Sequence, residues 1–157
     1  MSNLENFVNV MCEYVVAGTA KKRVEAVEKL KQMMAEQNHI RNDVEGIVRD
    51  MFLEIGVPDH LIGYDYAVDA IVMSVSDRKL SHNTCELYRV ISDKYDQTAC
   101  KVERGIRHLV EETMERGNME QIQKYFGKYI SSKTGKVTNG EFIARMANMV
   151  RKKMREA

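Results

Sequence analysis

The sequence predicts an all-α protein, and three observations lead to that prediction. Its 157 residues include one proline, nine glycines and eleven methionines, a composition that favours helices over short strands joined by tight turns. Apolar residues recur at spacings of three and four along most of the chain. Residue pairs typical of helix N-termini precede several of these stretches. The length suits one core with a small appendage, so we expect a helical extension at 1–42 and a principal domain at 43–157.

The first two helices are predicted from their apolar periodicity. Residues 4–16 have helical spacing, with Ser2 and Glu5 as a capping pair and Gly18 as a stop. A second amphipathic helix should end near Asn38. Its apolar stripe is Val24, Val27, Leu30, Met33 and Met34.

A third helix is predicted just after the second. Either Asn42 or Asp43 can cap it, and Gly56 with Pro58 should end it near Ile55. We therefore expect a break in the helix around residues 38–43.

The middle of the chain predicts a core helix followed by a shorter one. Residues 64–76 carry a wide apolar stripe. Asn83 and Glu86 form a capping pattern for a helix that ends near Lys94. Its expected buried residues are Cys85, Leu87, Val90 and Ile91.

Three further helices are predicted from caps. Thr98 can begin a helix that ends near residue 116, where Gly117 would provide a left-handed stop. Asn118 begins a short helix to about residue 126. Thr138 and Glu141 begin the last one, to about residue 154.

The sequence does not indicate a membrane protein, a secreted protein, an enzyme or a metal site. No apolar run is long enough to span a bilayer, and Glu5 and Glu13 argue against a signal peptide, so we expect a cytoplasmic protein with no membrane association. The cysteines are odd in number and have no metal-ligand spacing, so we expect reduced, packed thiols. They are Cys12, Cys85 and Cys100. No nucleophile motif, phosphate loop or histidine cluster is present, so we expect no enzyme, no metal and no cofactor.

Charge is unevenly distributed, although the net charge is only +1. From residue 124 onward there are nine cations and two anions, whereas residues 1–123 carry fifteen cations and twenty-one anions. A phosphate-facing edge and a solvated terminal helix explain this pattern equally well.

The helices predicted on either side of residues 95–98 fit a helix-turn-helix, in which the second helix enters the major groove of DNA. The buried stripe expected for this second helix is Val102, Ile106, Leu109, Val110 and Thr113. The opposite face of its first two turns carries Lys101, Arg104, Arg107 and His108, with Glu103 on the flank. Arginine and glutamate can read guanine and cytosine edges, and lysine or histidine can hold phosphates. A solvated face with helical ion pairs is the other explanation of the same residues.

Four segments resemble the DNA-binding effector domain of the sporulation master response regulator of endospore-forming bacteria, the stage 0 sporulation protein A family. They are IGVPDHLIGYDYAVDAI, TACKVERGIRH, RGNMEQIQKYFG and TNGEFIARMA, in family order over about residues 48–152. The resemblance implies a six-helix domain that binds double-stranded DNA, with its recognition helix at about residues 98–116, and a TTCGACA-type site.

The resemblance also implies roles for individual residues. Glu103 and Arg104 would read bases. The residues near bases or phosphates would be Thr98, Lys101, Arg107, His108, Thr138 and Asn139. The surface that touches an RNA polymerase sigma factor would be 118–123, including Asn118, Glu120 and Gln121.

The chain departs from the family pattern in three places. About 45 residues with helical periodicity stand before the matched region, where the family has an α/β receiver domain. Cys100 replaces a small hydroxyl residue, and Gly105 replaces an alanine. Cys100 could be a redox-sensing thiol, but an inert replacement is favoured; Gly105 could permit close approach to the duplex or to the first helix of the motif.

Two alternatives stay open. The stripe of residues 24–34 could pack within the chain or pair with a second copy, and we favour a homodimer because helix-turn-helix proteins usually bind paired half-sites. The chain could also be a protein-interaction module that antagonises a related regulator or binds a sigma factor without specific DNA binding. The presence of Glu103, Arg104, Arg107 and His108 together favours DNA binding.

Overall fold

The structure is a computed structural model that describes residues 3–16 and 19–156. All regular secondary structure in these residues is helical, and no strand occurs in them, so the all-α prediction is confirmed. The helices are α1 (Asn3–Val16), α2 (Ala20–Ile55), α3 (Gly63–Ser76), α4 (Thr84–Tyr95), α5 (Ala99–Arg116), α6 (Met119–Phe126) and α7 (Asn139–Glu156), with a short 3-10 helix at Leu80–His82 between α3 and α4. Ser2, Gly18 and the side chain of Glu5 lie outside the described part, and the predicted cap and stop there stay predictions.

The chain divides into two compact units between residues 43 and 44. In the first unit Val10 of α1 and Ala26 of α2 are buried, and Glu13 lies 4.0 Å from Lys29. Most other apolar side chains of this unit are half-buried or exposed. Val24 and Met34 of the predicted stripe are among the exposed ones.

The second unit holds the hydrophobic core, which runs from Val44 to Val150. Helix α3 lies at its centre and packs against α4, α5 and α7. The rings of Phe126 and Phe142 stack with centroids 5.1 Å apart, and Phe52 packs beside them. Because these large side chains are fully buried, they supply much of the hydrophobic stabilisation of the unit.

Helix α2 is continuous from Ala20 to Ile55, so the break predicted around residues 38–43 is wrong. The polar residues of that stretch include no glycine or proline, and Asn42 and Asp43 cost a helix interior only a fraction of a kcal/mol, about 0.7 at most. A capping residue begins a helix only where the preceding backbone has left the helix.

The end of α2 is fixed by Gly56, whose φ of 79° is in the left-handed region. Its N–H donates to the Phe52 carbonyl at 2.9 Å. The neighbouring Ile55 carbonyl accepts from the N–H of Asn118 at 2.7 Å, which joins α2 to the start of α6.

Gly117 is not the left-handed stop predicted for α5, because its φ and ψ are −73° and −178°. A Cβ there would lie 2.5 Å from the Thr113 carbonyl and 2.7 Å from that of Ile55. Glycine is therefore required at this position by close backbone approach rather than by a positive φ.

The predicted N-caps in the second unit are present. The Asn83 side chain accepts from the N–H of Glu86 at 3.2 Å. Thr138 and Glu141 form a reciprocal capping box: the N–H of Glu141 donates to Thr138 Oγ1 at 3.3 Å, and the N–H of Thr138 donates to a carboxylate oxygen of Glu141 at 2.9 Å. These bonds fix where α4 and α7 begin.

The cysteines are not packed, contrary to the prediction. Cys12, Cys85 and Cys100 are all exposed. The buried face of α4 consists instead of Leu87, Tyr88, Ile91 and Ser92. Cysteine is usually a buried residue, which is why its position in the apolar pattern misled the prediction.

The helices and side chains of residues 3–16 and 19–156 also bear on membrane and metal binding. None of the helices there is both long and apolar enough to cross a membrane. In the same ranges no group of three or more histidine, cysteine, aspartate or glutamate side chains could hold a metal ion.

Candidate nucleic-acid interface

Helices α4 and α5 pack together and are joined by a turn of three residues, one fewer than predicted. Asp96 adopts a left-handed conformation (φ 50°, ψ 49°), and its N–H and that of Gln97 both donate to the Ser92 carbonyl. The hydroxyl oxygen of Thr98 accepts from the N–H of Lys101 at 3.2 Å, so the predicted cap of α5 is present. The turn is thus held from both ends.

Helix α5 has a buried face and an outward face, as its sequence predicts. The buried residues are Val102, Ile106, Leu109, Val110 and Thr113. The exposed ones in the first half include Lys101, Arg104, Arg107 and His108. The outward face of the first three turns is therefore cationic.

Glu103 is half-buried on the flank of this face, and a carboxylate oxygen accepts a hydrogen bond from the guanidinium of Arg107. The ammonium of Lys101 donates in the same way to the side-chain carbonyl of Gln97. No carboxylate of the described residues lies within ion-pair distance of Arg104, so its guanidinium is available to a partner.

The start of α7 lies beside the first turns of α5. The side-chain amide of Asn139 donates to the backbone carbonyl of Glu103 at 3.2 Å. Between α4, α5 and the loop before α7 lies a surface groove of about 600 Å³, and Tyr88, Arg107 and Lys136 are among its lining residues. Burial raises the pKa of the Tyr88 hydroxyl, and a hydrogen bond with Asn139 partly opposes this. Asn139 is therefore a link between α7 and α5 as well as a candidate DNA contact.

The residues predicted to touch a sigma factor lie beyond the other end of α5. An 18-residue helix is about 27 Å long, so α6 begins far from the cationic turns. Glu120 is exposed and Gln121 is half-buried. The side-chain oxygen of Asn118 accepts from the N–H groups of both, at 3.1 and 3.3 Å. Asn118 thus has a capping role of its own.

The cations of the C-terminal third are largely held by other groups of the second unit. Arg151 donates to the backbone carbonyls of Ser74 and Val75 at the end of α3, and Arg145 donates to that of Tyr125 at 2.8 Å. Three lysines pair with glutamates. These pairs are Lys136–Glu111, Lys152–Glu156 and Lys153–Glu54. Five of the nine cations of this region therefore make contacts within the fold.

Gly105 faces α3 rather than α4. A Cβ on Gly63 would lie 2.0 Å from the backbone oxygen of Gly105, and one on Gly105 would lie 3.2 Å from the ring of Tyr66. The two glycines allow α3 and α5 to cross in backbone contact. The sequence predicts a close approach at Gly105, either to the duplex or to the first helix of the motif, and the helix that Gly105 approaches is α3.

Sequence reasoning also missed contributors to this region. The sequence predicts Gln97 only as part of the turn, whereas in the structure its side chain accepts a hydrogen bond from Lys101. Tyr88 was not singled out, although it lines the groove beside Asn139. Neither has a local motif, because their roles depend on which helices meet in space.

Comparison with known families agrees with this arrangement. Residues 48–150 match the family described as "Sporulation initiation factor Spo0A C terminal". The match extends from the end of α2 into α7 and includes α4, the turn and α5. This is a family of DNA-binding transcription-regulator domains and not an enzyme family. Since the match covers more than half of the 157 residues, the chain belongs to the Spo0A C-terminal family and is a regulator of transcription that binds double-stranded DNA.

Proposed function

We propose that this protein is a sequence-specific transcriptional regulator that reads the major groove with α5. The observation that carries the proposal is the outward face of α5, whose first half exposes four basic side chains. The glutamates follow later on the same helix, at Glu111, Glu112 and Glu115. A helix that enters the groove by its N-terminal end would place its cations near DNA and its later glutamates away from the phosphates.

The base-reading roles belong to Arg104 and Glu103. An arginine can donate two hydrogen bonds to O6 and N7 of guanine, and Arg104 has no competing carboxylate. Glu103 can accept from N4 of cytosine once its bond with Arg107 rearranges. An ion pair at this i,i+4 helical spacing contributes only about 0.3–0.5 kcal/mol, so its rearrangement costs little.

The remaining residues of this surface would hold the DNA backbone. On α5 these are Lys101, Arg107 and His108, with Thr98 at the helix start. Thr138 and Asn139 stand at the start of α7, where the helix dipole favours an anion. Because Asn139 is bonded to α5, both helix starts would meet the duplex as one surface.

Fluorescence anisotropy with a labelled duplex tests this function. The duplex carries a TTCGACA-type element, a scrambled duplex is the reference, and each is measured at two salt concentrations. We expect about a hundredfold preference for the element and affinity that falls steeply with salt. Equal binding to both duplexes would refute sequence-specific reading and favour the protein-interaction module instead.

We further propose that α6 contacts an RNA polymerase sigma factor, as the resemblance implies. The proposal is supported by the exposure of Glu120 and Met119 at the far end of α5, away from the cationic face. Glu120→Ala should reduce transcription activation in a reconstituted reaction while leaving DNA affinity unchanged. A parallel loss of DNA affinity would contradict a separate polymerase surface.

For the first unit we propose homodimerisation through the stripe at residues 24–34. Val24 and Met34 are 66% and 58% exposed, and the other three members are half-buried. A stripe with two exposed and three half-buried apolar side chains favours a partner. Light scattering at tens of micromolar, with and without DNA, should give the mass of a dimer. Val24→Glu with Met34→Glu should return it to a monomer, whereas a monomeric wild-type protein would refute the proposal.

A further inference from the structure

A buried carboxylate on α3 holds the end of α4 immediately before the turn. Asp69 is 4% exposed. One of its carboxylate oxygens accepts from the hydroxyl of Tyr95 at 2.7 Å and lies 2.5 Å from the ammonium of Lys94. Both donors belong to the last two residues of α4, so the contact fixes the point from which the chain enters the turn.

The same tyrosine is also tied to α5 through a second ring. Tyr66, one turn before Asp69 on α3, meets Tyr95 edge to face with centroids 4.9 Å apart. The ring of Tyr66 in turn covers Gly105, where a Cβ would come within 3.2 Å of it. A continuous set of contacts thus runs from Asp69 through Tyr95 and Tyr66 to the middle of α5.

We infer that Asp69, Tyr66 and Tyr95, called here the α3 positioning set, hold α5 at the angle that base recognition requires. The inference rests on the proposed reading of bases by α5. Gly105 directly follows Arg104, so a shift of α5 against the ring of Tyr66 moves the guanidinium as well.

The two kinds of DNA contact respond differently to such a shift. Bidentate recognition of a base edge by Arg104 depends on sub-ångström placement, because both hydrogen bonds must form together. A lysine such as Lys101 holds a phosphate through a flexible stem and tolerates displacement. Loss of the α3 positioning set should therefore reduce specific binding more than non-specific binding.

Burial and the adjacent Asp69 carboxylate raise the pKa of the Tyr95 hydroxyl, so it keeps its proton and remains a donor across the physiological pH range. These features make the contact persistent, as a positioning role requires.

The chain offers a matched control. Tyr125 of α6 donates to a carboxylate oxygen of Glu54 on α2 at 2.7 Å, which is the same bond at the same distance, far from the turn. Tyr95→Phe and Tyr125→Phe each delete one hydroxyl. Both should lower thermal stability, but only one removes a member of the positioning set.

The test compares the full-length wild type with these two variants. Tyr95→Phe should reduce affinity for the element about tenfold and leave affinity for the scrambled duplex unchanged. Tyr125→Phe should leave the ratio of the two affinities as in the wild type. In the absence of DNA, Tyr95→Phe should also shift the ¹H–¹⁵N amide signals of residues 98–108, and Tyr125→Phe should not.

Two results would overturn the inference: an equal change of the affinity ratio in both variants, or amide shifts in Tyr95→Phe that are confined to α3 and α4. A wild-type protein with no preference for the element would instead refute the proposed function. The amide shifts would then decide the positioning role alone, so the two failures are distinguishable.

Discussion

Arg104 and Lys101 stand three residues apart on the outward face of α5, yet we expect them to bind DNA in different ways. Arg104→Ala should cost about 1–3 kcal/mol on the element and relax specificity, because a bidentate base contact is lost. Lys101→Ala should weaken all duplexes alike and reduce the slope of log K against log salt by about 1. Anisotropy titrations on the two duplexes measure both effects.

Arg116→Ala provides the control for these substitutions. Arg116 is exposed at the last turn of the same helix and pairs with Glu112 at 3.3 Å. Its removal should change neither affinity nor specificity. Equal losses on both duplexes for Arg104→Ala would contradict its base-reading role.

The two glycines at the crossing of α3 and α5 should differ in how well they tolerate substitution by alanine. Gly63→Ala should lower the free energy of unfolding by several kcal/mol, since its Cβ would lie 2.0 Å from a backbone oxygen. Gly105→Ala meets the ring of Tyr66 at 3.2 Å and the Cα of Gly63 at 3.5 Å, and the gain in helix propensity of about 1 kcal/mol offsets these milder contacts. Urea denaturation measures both, and a Gly63→Ala variant as stable as Gly105→Ala would contradict the close crossing.

For individual residues, the sequence predicted the properties that follow from helical periodicity. The buried and outward faces of α5 follow from one helical repeat and were predicted correctly. The contact of Gly105 with Tyr66 and the bond from Asn139 to Glu103 join residues 36 or more positions apart in sequence, and no local pattern encodes them. The partner of Gly105 and the dual role of Asn139 therefore required the structure.

Among the elements, α7 depends on its N-terminal capping box. Thr138→Ala should destabilise the domain by about 1 kcal/mol, because the N–H of Glu141 loses its acceptor. Thr138→Ser retains the hydroxyl and should retain most of the stability. Thermal denaturation of the three proteins distinguishes these cases, and equal melting temperatures for the alanine and serine variants would rule out the capping contribution.

The tyrosine–carboxylate bonds between helices predict a loss of stability in alkali. Burial and Glu54 raise the pKa of Tyr125 to about 12, and burial and Asp69 raise that of Tyr95 further. A raised pKa in the folded state gives stability that is fully present below the unfolded value of about 10 and is lost as pH rises through the folded value. Between pH 10 and 12 the wild type should lose stability more steeply than Tyr95→Phe. If urea titrations gave parallel curves of unfolding free energy against pH for the two proteins, the raised pKa of Tyr95 would be contradicted.

Helix boundaries were predictable where a side chain caps the first N–H groups of a helix, or where a glycine with positive φ ends one. Asn83, Thr98, Asn118 and Thr138 all cap helices as predicted. The break at residues 38–43 was not real, because capping residues in a stretch without glycine or proline do not end a helix. A local motif identifies where a helix can begin, whereas its surroundings decide whether it does.

On the scale of the whole molecule, the main hydrophobic core lies in the second unit, with Val44 as its first residue. A fragment of residues 44–157 should therefore unfold cooperatively and keep its DNA preference. A fragment of residues 49–157 lacks Val44 and Val48 and should be several kcal/mol less stable, because two buried valines are removed. Calorimetry and anisotropy test both fragments, and an unfolded 44–157 fragment would show that the first unit is needed.

The separation of the two faces of α5 has a consequence for redesign. The five buried residues and the glycine crossing hold the helix, whereas positions 101, 104, 107 and 108 face outward and contribute little to the core. A library that randomises position 104 together with the flanking Glu103, the two proposed base readers, would sample new operator sequences on an unchanged core. Selection from such a library could yield regulators orthogonal to the natural one without repeated rounds of stabilising substitutions.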